Sequence, residues 1–100
     1  MKLYIDTSER EKIIIGIDDE KFEKKVVERS SQLLLPFIDE ILKKKKKNFK
    51  DIKEIEINTG PGSFTGLRIG VAIANTLGFV LNIPVNGKKV LTGPINITYK

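Results

Sequence analysis

Over residues 58–81 an alternating segment gives way to Gly60, Pro61 and Gly62 and then to a long stretch with a single charge, a succession that dictates a strand, a tight turn and a buried helix. Pro61 fixes one backbone angle while the flanking glycines leave theirs free. Ser63 stands where a helix N-cap is wanted, so the spacing predicts a helix from Phe64 to Leu81. Within it Gly66, Gly70, Ala74 and Gly78 recur every fourth residue and line up as a groove of missing or minimal side chains. Gly66, Gly70 and Gly78 together cost the helix roughly 3 kcal/mol relative to alanine, which close approach of another backbone, a second helix or a sheet, has to offset. Arg68 is the only charge, and Phe64, Leu67, Ile69, Val71, Ile73, Leu77, Phe79, Val80 and Leu81 leave almost no polar face. Such a helix is expected to be covered nearly all round.

A chain of 100 residues with 40% apolar content suits one domain. It buries roughly 60% of its unfolded surface, which leaves few layers to cover that helix and points to a partner. Histidine and cysteine are absent, which excludes disulfides, thiolate and imidazole catalysis and the usual zinc sets, and fits a reducing, cytoplasmic setting. Residues 1–6 hold no apolar segment of signal-peptide length, so the chain is expected to stay where it is made. Residues 69–87 are free of charge and show the small-residue spacing of transmembrane dimers, but Asn75, Asn82, Pro84 and Asn86 interrupt the run and no membrane span is expected. The net charge of +5 is uneven, because all 13 acidic residues lie at or before Glu56. The second half therefore offers no carboxylate as general base or magnesium ligand, and neither metal nor cofactor is expected.

In chain order, residues 2–6 read as a short strand, 12–17 as a second, largely buried one, and 21–29, with its many charges, as a third at the edge of the same meander. Ser30 or Ser31 can cap a helix reaching about Lys46, with Leu34, Phe37, Ile38, Ile41 and Leu42 on one face. Asp39 with Lys43, and Glu40 with Lys44, are favourable pairs one turn apart. Residues 43–47 are consecutive lysines, read first as a solvated helix end complementing the dipole and second as a contact for an RNA phosphate backbone. Residues 53–58 form the strand that feeds the glycine turn, and 82–87 a short strand and turn. The tail 88–100, alternating over 95–99, adds a strand or frays. Asn96, Ile97 and Thr98 make a glycosylation triplet expected to be chance. The order βββαβαβ is that of an α/β domain, a mixed sheet with helices packed on it.

Backbone N–H groups at the turn of Gly60, Pro61, Gly62 and Ser63 could hold an anion, so a nucleotide loop has to be weighed against a structural turn. The dinucleotide fingerprint would need a third glycine at Thr65 and an acidic partner about twenty residues on, and the chain has neither. A Walker loop fails for want of a Gly-Lys-Ser/Thr sequence. Ser63 is no nucleophile elbow, since Pro61 and Thr65 stand where glycines belong and there is no histidine to serve as base. The structural turn is the preferred reading. Asp6, Thr7 and Ser8 are the other candidate, a carboxylate and two hydroxyls at a strand end, which either close a hairpin or contact phosphates as such loops do in actin-like ATPases.

The motif GPGSFTGLRIG at residues 60–70, preceded by a strand and followed by a helix ending in Asn82, Ile83 and Pro84, strongly resembles the signature of the TsaB (YeaZ) family. Residues 3–8 and the helix at 31–42 are similar to that family in the same order, so the resemblance covers residues 1–87 as an N-terminal lobe, with 88–100 as a tail. It implies a single actin-like ATPase (ribonuclease H-like) lobe as the fold, and the making of threonylcarbamoyladenosine in tRNA as the process. It further implies that such a chain does not catalyse but pairs with the catalytic subunit TsaD, while the ATPase TsaE and the threonylcarbamoyl-AMP synthase TsaC complete the pathway and tRNA is met indirectly. On that footing the pairing face, against TsaD or a second copy in a homodimer, is carried by Leu34, Phe37, Ile38 and Ile41 on the first helix and by Phe64, Gly66, Leu67, Gly70, Val71, Ala74 and Gly78 on the second. Asp6, Thr7 and Ser8 become a phosphate-loop relic. Family members usually carry a second lobe of similar size, and residues 87–94 here replace the usual next helix. The rival readings are an enzyme, either an ATPase using Asp6, Thr7 and Ser8 or a glycoprotease-like peptidase, and a small RNA-binding module using residues 43–47.

Overall fold

Alternating burial along the central strands leaves each with one apolar and one wet face, and that pattern decides where the helices go. The computed structural model describes residues 1–26 and 31–89. Its elements in chain order are β1 (Lys2–Asp6), β2 (Lys12–Ile17), β3 (Glu20–Lys25), α1 (Ser31–Lys44), a 3₁₀ turn (Phe49–Asp51), β4 (Glu54–Ile57), α2 (Phe64–Leu81), β5 (Pro84–Val85) and β6 (Lys88–Lys89). They form one six-stranded sheet ordered β3-β2-β1-β4-β5-β6. β1 is antiparallel to β2 and parallel to β4, which is in turn parallel to β5.

The parallel steps from β1 to β4 and from β4 to β5 proceed in the same direction across the sheet, so right-handed crossovers put α1 and α2 on one face. Leu3, Ile5, Ile15, Ile17, Ile55, Ile57 and Val85 supply the buried side of the strands, and Leu34, Ile38, Ile41 and Leu42 of α1 join them in the core. Each such side chain withdrawn from water contributes about 1.5–3 kcal/mol. The opposite face is polar, with Lys2 and Glu56 paired at 2.6 Å and the Lys21 ammonium 5.4 Å from the centre of the Tyr4 ring. Gly16 stands across from Tyr4, where an added Cβ would lie 3.1 Å from the tyrosine Cβ.

Several boundaries differ from the expectation. β3 ends at Lys25, Val26 is buried just beyond it, and the last part of its predicted span, residues 27–29, lies outside the described residues together with the capping candidate Ser30. α1 stops at Lys44, because the Lys47 N–H reaches back to the Leu42 carbonyl at 2.8 Å and Lys46 turns left-handed at φ 57°. A lysine in that position costs about 1 kcal/mol relative to glycine. Asp39 and Lys43 pair at 3.0 Å as expected, whereas Glu40 and Lys44 form no pair among the described residues. Asn86 and Gly87, with φ of 50° and 80°, make the two-residue turn that adds β6, a strand inside the expected tail. The alternation at 95–99 and the triplet at Asn96 lie outside the described residues.

The glycine groove is filled from within. Gly66, Gly70, Ala74 and Gly78 are buried together with Leu67 and Val71. A Cβ placed on Gly70 would run into the Thr7 hydroxyl and stand 3.1 Å from Ile57 Cδ1, so the close approach that offsets the glycine cost is made by β4 and the end of β1. The residues expected to form the pairing face divide by burial. Leu34, Phe37, Ile38, Ile41, Gly66, Leu67, Gly70, Val71, Ala74 and Gly78 are all covered by the chain itself, and of that set Phe64 stands on the surface, 48% exposed. Nor is α2 covered all round, for Phe79 and Val80 are 61% and 70% exposed.

Candidate functional site

β1 and β4 run parallel and end at the same edge of the sheet, so the segments that leave them, residues 6–8 and 58–63, meet there. Asp6 is the hub. Its Oδ1 accepts from the Ser8 hydroxyl at 2.6 Å, the Ser8 N–H at 2.9 Å and the Asn58 side-chain amide at 3.2 Å, and its Oδ2 from the Tyr4 hydroxyl at 3.3 Å. Asn58 turns its Oδ1 to the Gly60 N–H at 3.0 Å, and the Ser8 carbonyl accepts from the Ser63 N–H at 2.7 Å. The Gly60–Pro61 bond is cis and Gly60 has φ 121°. Gly62 lies flat on Ser8, where a Cβ would fall 2.6 Å from the serine Cβ and 2.7 Å from its carbonyl oxygen. Ser63 caps α2 by accepting from the Gly66 N–H at 3.4 Å, and the Thr7 hydroxyl donates to the Gly66 carbonyl at 2.6 Å.

Burial works against the charge of Asp6, yet the hydrogen bonds from Ser8, Asn58 and Tyr4 together outweigh it and hold the carboxyl below its ordinary value. Tyr4 moves the other way, pushed up to about 12 by burial and then by the neighbouring Asp6 charge. Asp6 is therefore an anion whose Oδ1 is saturated by protein donors, while its Oδ2 accepts a single longer bond from Tyr4. Among the described residues no three His, Cys, Asp or Glu side chains are grouped to hold a metal. The Gly60 and Ser63 N–H groups, which a nucleotide loop would turn toward phosphate, are bonded to Asn58 and Ser8. Asp6, Thr7 and Ser8 are thus brought together with Gly60, Pro61, Gly62 and Ser63 as a lock between the end of β1 and the start of α2.

The outer side of α2 has another character. Phe64, Thr65, Arg68, Ile69, Ala72 and Ile73 line a shallow, mostly apolar hollow of about 340 Å³, and the Arg68 guanidinium lies 5.4 Å from the centre of the Phe64 ring. Phe79 and Val80 continue the exposed apolar surface further along the helix. By length and composition α2 could cross a bilayer, with mean hydropathy 1.5, but 33% of it is buried and its glycine side is committed to the sheet.

Sequence reasoning missed Tyr4, Asn58 and Asn86. The Asn86 side chain accepts from the Ile57 N–H at 2.8 Å and donates to the Ile57 carbonyl at 3.0 Å, standing in for a strand residue where β5 is too short to provide one. For Asn58 the available signal was an asparagine two residues before a glycine at a turn, the pattern in which a side chain takes a backbone N–H.

The family model described as TsaD, tRNA N6-adenosine threonylcarbamoyltransferase, matches residues 24–98. The chain is 39% identical over 59 residues to a protein of Buchnera aphidicola subsp. Schizaphis graminum named tRNA threonylcarbamoyladenosine biosynthesis protein TsaB, a match spanning 59% of this chain and 28% of the relative. It is 41% identical over 64 residues to the tRNA N6-adenosine threonylcarbamoyltransferase of Dictyoglomus turgidum, spanning 64% of this chain and 19% of that one. Among solved structures, YeaZ from Pseudomonas aeruginosa superposes with a TM-score of 0.71 at 29% identity, covering 84% of this chain and 41% of YeaZ. The chain thus spans well under half the length of each. Its fold is the actin-like, ribonuclease H-like lobe of YeaZ.

Proposed function

Because the chain belongs to the family of the TsaD model and goes with its TsaB (YeaZ) members, we propose that it serves threonylcarbamoyladenosine formation in tRNA as a non-catalytic scaffold pairing with a TsaD-type subunit. The observation that carries this reading is the one-sidedness of α2. Its glycine side is consumed by the sheet, while Phe64, Ile69, Ala72, Ile73, Phe79 and Val80 form an apolar surface around a single cation, the composition of a protein interface rather than of a solvated helix. The pairing surface is therefore the outer side of α2, occupied by the TsaD homologue or, in its absence, by a second copy. The engagement of Asp6 Oδ1 by Ser8 and Asn58 supports the non-catalytic part of the reading. TsaE and TsaC homologues act at other steps of the same cytoplasmic pathway.

Sedimentation of the chain mixed with the TsaD homologue of its own organism tests this. A complex is expected with the wild type, weakened at least about tenfold, or about 1.4 kcal/mol, by Phe79→Glu with circular dichroism unchanged. Undiminished pairing by the folded variant would move the interface elsewhere, and absence of a wild-type complex would overturn the scaffold reading. Phosphate release from ATP by the isolated chain above an Asp6→Ala control would favour the enzyme reading instead.

A further inference from the structure

Residues 43–50 contain six lysines and no acid. Two of these lysines are tied down, Lys43 to Asp39 one turn back and Lys45 to Glu20 at the start of β3. Lys44, Lys46, Lys47 and Lys50 are exposed and have no ion-pair partner among the described residues. The Lys45–Glu20 pair pins the helix end to the sheet edge, and the 3₁₀ turn that follows is closed by a capping box in which Asn48 Oδ1 accepts from the Lys50 N–H at 3.0 Å and Asp51 Oδ2 from the Asn48 N–H at 2.9 Å. Lys46 is the most telling of the four. It occupies the left-handed position, φ 57°, where glycine or asparagine ends a helix with least strain, so a charge stands where stability alone would select against it.

We propose that this lysine cap at the end of α1 is a docking surface for the phosphate backbone of a structured RNA, met by Lys44, Lys46, Lys47 and Lys50. The identification of that RNA as a tRNA held on the same assembly rests on the scaffold reading, while the chemistry does not. An ammonium group pairs with phosphate as a point charge and carries no base information, so the contact positions the RNA and leaves sequence choice to others. Its physical signature is counterion release, which makes affinity fall steeply with salt. The cap shares no residue with the outer side of α2, so either contact can be removed without the other.

Fluorescence anisotropy of labelled bulk tRNA with the purified chain, between about 50 and 200 mM salt, reads the effect. Replacing all four lysines by glutamine is expected to weaken binding at least about tenfold and to reduce the slope of log K against log salt by about 3. Lys46→Gly alone separates a binding charge from a solvated helix end: its Tm holds or rises, because glycine suits the left-handed position, while the slope falls by about 1. Arg10→Gln, an exposed cation in the β1–β2 turn, controls for net charge. The proposal is overturned if Lys46→Gly changes affinity and slope no more than Arg10→Gln does. It is overturned equally if the wild type binds phosphatidylserine vesicles and no tRNA. Pairing with the TsaD homologue is measured on the same samples: tRNA binding with no pairing overturns the scaffold reading alone, and pairing with no tRNA binding overturns the lysine cap alone.

Discussion

On one side of α2 a single methyl group at Gly70 has no room, and on the other Phe79 and Val80 keep more than half of their surface in solvent. The two sides are about equally apolar, so hydropathy does not distinguish them. What differs is side-chain size at the line of contact. Small residues at four-residue spacing report that another backbone comes close, and the neighbour here is the sheet of the same chain. Large apolar residues left exposed report a neighbour not yet supplied.

The sharpest way to break this contrast is Gly70→Leu. Forcing a side chain between α2 and β4 overpacks the core by about 1–3 kcal/mol, and displacing the Thr7 hydroxyl from the Gly66 carbonyl costs about 1–3 kcal/mol more. A loss above about 3 kcal/mol in urea unfolding is expected, and a variant as stable as the wild type would mean that the inner side is not packed on the sheet. Asp6→Asn probes the lock beside that inner side and is expected to cost about 1–2 kcal/mol at neutral pH, since the carboxylate accepts several bonds at once but is only partly buried. Because the folded carboxyl titrates below its unfolded value near 4, its contribution is present above that pH and disappears as pH falls through the folded value. The variant should therefore show a flatter acid limb, and an unchanged limb would remove Asp6 from the lock. Ala72→Leu, on the outer side, should change stability by no more than about 0.5 kcal/mol. A larger loss by thermal unfolding would show that the outer side packs within the chain as well.

The order of strands and helices was legible because each element carries its own period, and the turn at Gly60 and the cap at Ser63 are local chemistry. The glycine stripe was legible as a close contact but not as an internal one, since a sheet, a partner helix and a second copy ask for the same small residues. The lock was half legible. Asp6, Thr7 and Ser8 announced themselves by type, but their partner Asn58 lies 52 positions from Asp6, and pattern rules do not reach that far. The end of α1 was misplaced by two residues because consecutive lysines continue a helix by propensity, and the backbone stop falls on one of them without a glycine to mark it.

The Thr7 hydroxyl donates to a carbonyl 59 positions later in the chain. The β1–β2–β3 meander is local and pairs β1 along its whole length through Asp6, but the Thr7 hydroxyl just beyond it has this partner only after α2 has been synthesised and has docked. On a ribosome the bond between Thr7 and Gly66 is therefore a late one: it links the first segment to be made with the helix proposed to meet the partner.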